Sequence, residues 1–168
     1  MGNKFTLQTL KEHYPTYEER MLAAWVGKPE KVPFYKIAFQ KFAISGNDRF
    51  GVVWSWWAFL GGFWFFLYRK AYLEALTVFL ISFFAVFIPF IGPILVMIGV
   101  GLSAIYFLYK RYLTIKMEIE ALVEEEDKRL EFMLIKGGYN SWVVWVTAII
   151  GISVLLINLF LLAIIVTN

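Results

Sequence analysis

Four apolar stretches, separated by short charged or proline-glycine segments, set the pattern of this chain: Val52–Tyr68, Ala71–Ile88, Ile91–Tyr109 and Trp142–Val166. A helix that crosses a ~30 Å hydrocarbon core needs about 20 mostly apolar residues. The fourth stretch has that length outright. The second and third reach it with their flanks, and the first falls short. Between the second and third lies Ile88-Pro89-Phe90-Ile91-Gly92-Pro93, uncharged, with two prolines around a glycine. Such a segment stops a helix and turns the chain. Read as one helix, the two stretches would run about 39 residues, or ~58 Å at 1.5 Å per residue. No ordinary bilayer is that thick, so the pattern predicts a helical hairpin with its tip at one membrane face.

The remaining segments are amphipathic. Tyr14-Pro15-Thr16-Tyr17-Glu18-Glu19 opens a helix, with proline near the first turn and acids that suit the dipole. It is expected to run to Val26 and stop at Gly27. A second helix is predicted over Pro33–Ala43, with Phe34, Ile37, Ala38 and Phe42 on one stripe and Lys36 and Lys41 beside it. That pattern suits a helix lying on an anionic leaflet, and equally one packed on its neighbour. From Tyr109 to Lys136 no breaker interrupts the period of Ile115, Ile119, Leu122, Val123, Leu130, Met133 and Leu134. One continuous helix is predicted there, extending the third stretch. It carries Glu124–Lys128 and Glu125–Arg129 as i,i+4 pairs and ends at Gly137-Gly138.

Composition narrows the class. Of 168 residues, 60% are hydrophobic and 17% charged, and 17 Phe, 9 Tyr and 7 Trp bring aromatics to 20%. A soluble domain of this size buries only about 60–70% of the surface its unfolded chain exposes and cannot hide this much apolar area. A soluble enzyme, a nucleic-acid-binding domain and a secreted disulfide scaffold are thereby excluded, and with no cysteine there is no thiol chemistry. Residues 1–50 lack the apolar run of a signal peptide and are expected to stay on the mature chain.

The charges fall in three blocks. Residues 1–51 hold eight Lys/Arg and five Asp/Glu. Arg69, Lys70 and Glu74 form an island, and residues 110–136 hold six Lys/Arg and seven Asp/Glu. If all four apolar stretches span, blocks 1–51 and 110–136 lie on opposite sides. If Val52–Tyr68 enters and returns, or lies in the interface, all three blocks share one side. The uncharged hairpin tip and the C-terminal Thr167-Asn168 then share the other, which is what the positive-inside rule favours. Trp54, Trp56, Trp57, Trp64 and Tyr68 are interface-preferring residues in that segment, and Gly61-Gly62 sits near its middle. Arg69 and Lys70 read as its anchor to cytoplasmic headgroups.

The expected fold is an all-α integral membrane protein. It has three transmembrane helices, an aromatic re-entrant or interfacial segment, and cytoplasmic amphipathic helices. Its parts are a cytoplasmic helical region at 1–50, the aromatic segment at 51–70, a transmembrane hairpin at 71–109, a charged cytoplasmic helix at 110–138 and a C-terminal span at 139–168. The N-terminus is placed in the cytoplasm and the C-terminus outside.

Candidate chemistry is sparse. His13 is the single histidine and has no second ligand beside it. The acids of 118–131 are interleaved with Lys128 and Arg129, the pattern of a solvated helix face. No nucleophile-elbow, zinc-protease or phosphate-loop motif occurs. No catalytic, cofactor-binding or metal-ligating residue is assigned, and no enzyme is expected. Residues 75–109 and 141–168 hold no Asp, Glu, Lys, Arg or His, which argues against an ion path. Asn158 can hydrogen-bond across helices, either to a second copy or internally to Ser82 or Ser103. Gly99, Gly101 and Ser103 form a small-residue face where another helix can approach.

The run Trp57-Ala58-Phe59-Leu60-Gly61-Gly62-Phe63-Trp64-Phe65-Phe66-Leu67-Tyr68-Arg69-Lys70 resembles the signature of an uncharacterised bacterial membrane family. That family is catalogued as domain of unknown function 2628, with some members labelled HrgC-like. The resemblance covers about residues 50–110 and implies a small bacterial inner-membrane protein; it brings no activity, cofactor or site. The functional expectation is a non-enzymatic accessory or scaffold subunit acting through its cytoplasmic face. Its partners would be the bilayer and a membrane or cytoplasmic protein, or a second copy of itself, and not nucleic acid. Glu124, Glu125, Glu126, Lys128 and Arg129 form its candidate partner surface, since mixed charge beside an apolar stripe fixes register. The alternatives are an oligomeric channel or holin-like permeability factor, and a lipid-handling protein using the aromatic segment.

Overall fold

The computed structural model describes residues 6–43 and 50–167, so parts of the predicted 1–50 segment and the terminal Asn168 lie outside the described residues. Every regular element among the described residues is helical: α1 (Leu7–His13), α2 (Tyr17–Val26), α3 (Val32–Phe42), α4 (Trp56–Gly61), α5 (Phe63–Tyr68), α6 (Tyr72–Ala85), α7 (Ile91–Leu122), α8 (Glu126–Lys136) and α9 (Ser141–Thr167).

α2 starts and stops where its sequence dictates. The Thr16 side chain accepts from the Glu19 N–H, Glu18 and Glu19 occupy the first turn, and Gly27 closes the helix in the left-handed region at φ 70°. Its residues Met21–Val26 are all buried. α1, α3, α8 and the lower half of α7 surround it. Trp25 is the centre of an aromatic cluster, with Tyr35, Phe39 and Tyr112 at 5.5–5.7 Å between ring centroids. α3 presents Val32, Tyr35, Ala38, Phe39 and Phe42 to this core. The stripe expected on α3 is therefore rotated: Ala38 and Phe42 face inward, while Phe34 and Ile37 are exposed beside Lys36 and Lys41.

α7 is the spine. Its 32 residues, about 48 Å at 1.5 Å per residue, bury one continuous stripe that includes Gly101, Ala104, Ile105, Leu108, Tyr112, Ile115 and Ile119. The upper half of that stripe packs on α4 and α6, and the lower half on α2, α3 and α8. At the hairpin tip a Cβ on Gly92 would lie 2.0 Å from the Ala85 carbonyl oxygen, so only glycine allows the chain to close there.

The single helix expected over Tyr109–Lys136 is two. The chain breaks at Val123–Glu125, and α8 folds back along α7, with Lys136 Nζ 2.8 Å from Glu118. Four acids in succession, Glu124 to Asp127, oppose the negative C-terminal end of α7. Glu126 and Asp127 suit the first turn of α8. The fold-back also buries Leu130 and Met133 against α2. Arg129 seals the break by donating from Nε to the Val123 carbonyl and from Nη2 to the Glu120 carbonyl. Of the two i,i+4 pairs expected, neither forms; Lys128 pairs instead with Glu125, at 2.8 Å.

Two helices are long and apolar enough to cross a membrane. One is α7. The other lies within Glu126–Phe160, and the helix break at Gly137-Gly138 assigns it to α9. Only 6% of the latter's apolar window is buried. α6 is a shorter apolar helix of 14 residues.

Candidate functional site

The aromatic segment 51–70 forms two short helices, α4 and α5, that meet at Gly62 (φ 51°, ψ −128°), a conformation reserved for glycine. The Ser55 side chain accepts from the Ala58 N–H to start α4. The Ser55 backbone N–H donates to the Gly101 carbonyl at 2.9 Å. A Cβ on Gly101 would meet Phe59 and the Trp54 ring at 3.1 Å, so this glycine lets α4 lie directly on α7. Gly99 and Ser103 instead line an open groove between α6 and α7. Both ends of the segment return to the same helical layer. Gly51 lies against the Phe42 ring of α3, and Arg69 reaches the end of α2.

Residues 67–70 are the hub on which helix C-termini converge. Arg69 Nη1 donates to the Val26 carbonyl at the end of α2, at 3.0 Å. Lys70 Nζ donates to the Ile135 carbonyl at the end of α8, at 3.1 Å. Asn140 satisfies the end of α5: its N–H donates to the Tyr68 carbonyl, and Nδ2 donates to the Leu67 carbonyl and to the Tyr72 hydroxyl. Arg111 of α7 donates to the Lys70 carbonyl at 2.7 Å. Cations at helix C-termini oppose the negative end of each macrodipole. These bonds hold Lys70 at φ 56°, a left-handed conformation uncommon outside glycine. Gly138 N–H adds a bond to the Trp25 carbonyl, and a Cβ on Gly137 would lie 2.6 Å from Trp25 Cα.

Arg69 is thus held inside the protein, 6% exposed. Its guanidinium carbon lies 4.7 Å from the Trp25 ring centroid and 5.0 Å from that of Tyr35. Lys28 stands nearby over the Tyr139 ring, at 4.5 Å. A hydrogen bond with Tyr68 holds its ammonium above the ordinary lysine value, against the opposing effect of partial burial. A cleft of about 800 Å³ opens beside these groups, walled by the start of α3, the aromatic segment and the first turns of α9. Trp54, Trp56, Trp57, Trp64, Tyr68 and Arg69 all line it. Six of the seven interface residues read from the sequence therefore meet at one cavity, while Lys70 points to α8.

The acids of α8 keep the solvent access expected of a solvated face, and two of them also pair with other helices. Glu126 pairs with Arg20 of α2 at 3.3 Å, and Asp127 with Lys11 of α1 at 2.6 Å. On α7, Lys116 pairs with Glu18, and Glu120 accepts from the Tyr17 hydroxyl. Burial, with Glu18 and Glu120 beside it, pushes the Tyr112 hydroxyl up. Of the candidate partner surface, Glu124, Glu125, Glu126 and Lys128 are exposed, Glu126 while pairing with Arg20, and Arg129 is engaged at the end of α7. Asn158 donates to the Val154 carbonyl of its own helix, and Ser82 and Ser103 likewise bond carbonyls four residues back. The tie between Asn158 and either serine is not made. No group of three or more His, Asp or Glu residues placed to hold a metal ion occurs among the described residues. No protein-family model, curated protein or solved structure matches this chain.

Proposed function

We propose that this chain is a small non-enzymatic protein of a bacterial inner membrane, an accessory or scaffold subunit that holds a charged helical head at a fixed attitude to the bilayer. α6 with its flanks, the upper half of α7 and α9 are the three spans, residues 51–70 re-enter, and the head is cytoplasmic. The observation that carries this reading is the hub at 67–70, which ties the ends of α2, α5 and α8 together and makes the head and the apolar helices one body. The return of both ends of 51–70 to the same layer supports re-entry. The family resemblance of residues 57–70 agrees with it.

The contact surface is the turn between α7 and α8, where Glu124, Glu125 and Lys128 stand exposed beside Leu122, itself 77% exposed. Glu124→Lys with Glu125→Lys should leave insertion unchanged and cost at most about 1 kcal/mol of stability, because the one bond lost is the exposed pair of Glu125 with Lys128 and neither side chain bonds another helix. It should remove whatever protein co-purifies after crosslinking in native membranes. With no native cysteine, single-cysteine probes test the topology. Leu73→Cys and Glu125→Cys should label from the cytoplasm only, and Phe90→Cys from outside only. A second reading, an oligomeric channel or holin-like factor, draws on α9, whose surface the chain leaves uncovered. It replaces the first if Asn158→Leu abolishes function while the charge reversal is silent.

A further inference from the structure

Arg69 has hydrogen-bonding capacity that the hub does not use. Nη1 meets the Val26 carbonyl, but Nε and Nη2 are buried and have no acceptor among the described residues. Trp25 and Tyr35 stabilise the cation through their ring faces yet offer these N–H groups no acceptor oxygen. Arg69 makes no ion pair with a described carboxylate. A buried guanidinium with free donors is costly unless an anion meets it. Nε and Nη2 form one edge of the fork, the edge that binds two oxygens of a single phosphate or carboxylate.

The surroundings of that edge have two ends. Lys28 and Lys31 line the cleft with Arg69, and Glu30 is the one carboxylate among them. The rest of the wall is mostly apolar, made by Trp57, Trp64, Phe65 and Ile105 and by Val143 and Ala148 of α9, with the hydroxyl residues Ser55 and Thr147 among them. Trp54 also lines this wall, and its Nε1 is buried and without an acceptor. A cationic end, a long apolar end and a second unused donor between them describe the complement of an amphiphile with an anionic head. The cleft's volume is within the range of small-molecule sites, room for the head and part of a chain rather than the whole molecule.

We propose that this cleft binds one anionic phospholipid. Its phosphate sits on Nε and Nη2 of Arg69, flanked by Lys28 and Lys31, an ester oxygen meets Trp54 Nε1, and an acyl chain lies along Ile105 and α9. Free phosphate shares the head chemistry, but it leaves the apolar end empty. The lipid comes from the leaflet in which residues 51–70 sit, so the site rests on the membrane placement proposed above. Cysteine labelling tests that placement separately, and lipid binding is read on protein that has passed it.

The full chain, purified in mild detergent from vesicles of equal phosphatidylcholine and phosphatidylglycerol, should retain one phosphatidylglycerol per chain by native mass spectrometry. Arg69→Gln should lower retention roughly tenfold to a hundredfold, the range for losing hydrogen bonds to a charged group. Because Arg69 also braces α2, a second variant removes the site from its far end. Ala148→Trp fills the apolar wall from the exposed side of α9 and should lose the lipid with helicity unchanged and with the Tm of the delipidated unmodified chain. Lys28→Gln with Lys31→Gln should keep a lipid but lose the preference for phosphatidylglycerol. Equal retention of phosphatidylcholine by the unmodified chain, or undiminished retention by Ala148→Trp, would overturn the proposal. Stabilisation of the delipidated protein by millimolar inorganic phosphate, with none from phosphatidylglycerol, would also overturn it and assign the site to a free anion.

Discussion

α2 and α9 both carry apolar runs, and those runs end in opposite surroundings. In α2 the six residues Met21–Val26 are between 0% and 7% exposed, each facing another helix of the same chain. In α9, Trp145, Ile149 and Phe160 are 72%, 62% and 67% exposed, and α5 against its first turns is its main neighbour. Apolar surface on this scale needs lipid or another protein. The two helices thus answer one physical demand in two ways: α2 draws its cover from the fold, and α9 has to find it outside.

The largest expected effect separates them by truncation. Trp25→Ala removes the ring that packs on Tyr35, Phe39, Tyr112 and the Arg69 guanidinium. It should cost about 3–5 kcal/mol, read by denaturant unfolding in detergent. Leu156→Ala in α9 should cost under about 1 kcal/mol, since lipid tails are as apolar as leucine and refill the space. Equal costs would mean that another copy covers α9.

A charge reverses the asymmetry. Leu156→Arg should oppose membrane insertion of α9 by about 2.5–3.5 kcal/mol, seen as a shift of an Asn168→Cys label from the outer to the cytoplasmic face. Unchanged labelling from outside would show that residue 156 does not sit in the hydrocarbon.

Glycines sharpen the contrast at a smaller scale. Gly137→Ala drives a methyl to 2.6 Å from Trp25 Cα and should destabilise by about 1–3 kcal/mol. Gly151→Ala in α9, with nothing within 4 Å, should be neutral or stabilise by up to about 1 kcal/mol.

The smallest effect is confined to alkaline pH. Tyr112 is raised by burial first and by Glu18 and Glu120 next. A folded-state pKa above the unfolded one leaves stability intact below about pH 10, the ordinary tyrosine value, and lost progressively above it. Tm should therefore fall above that pH, and Tyr112→Phe should flatten the fall. An unchanged slope would place the alkaline sensitivity elsewhere.

How much of this was legible varies with the range of the interaction. The helix start at Tyr14–Glu19, the Gly27 stop, the Pro-Gly hairpin tip and the apolar character of α6, α7 and α9 were readable, because first-turn acids, breakers and periodicity act within a turn or two of the residue that carries them. The break at Val123–Glu125 was not. No glycine or proline marks it, and its cause is α8 packing on α2 together with Arg129 sealing the end of α7.

The sequence by itself determined an all-helical chain, apolar stretches read as three spans of which two form helices long enough to cross a membrane, three blocks of charge and an aromatic segment with glycines near its middle. Only the tertiary structure decided what those charges meet. Arg69 and Lys70 read locally as a surface anchor, and one is buried while both bond helix ends distant in sequence, Val26 and Ile135. Arg129 read as part of a solvated face, and it seals the end of α7 instead. A charge is placed in the sequence by its neighbours, but its energy is set by which dipoles, rings and opposite charges the folded chain brings within a few ångströms, and that depends on helix packing rather than on spacing.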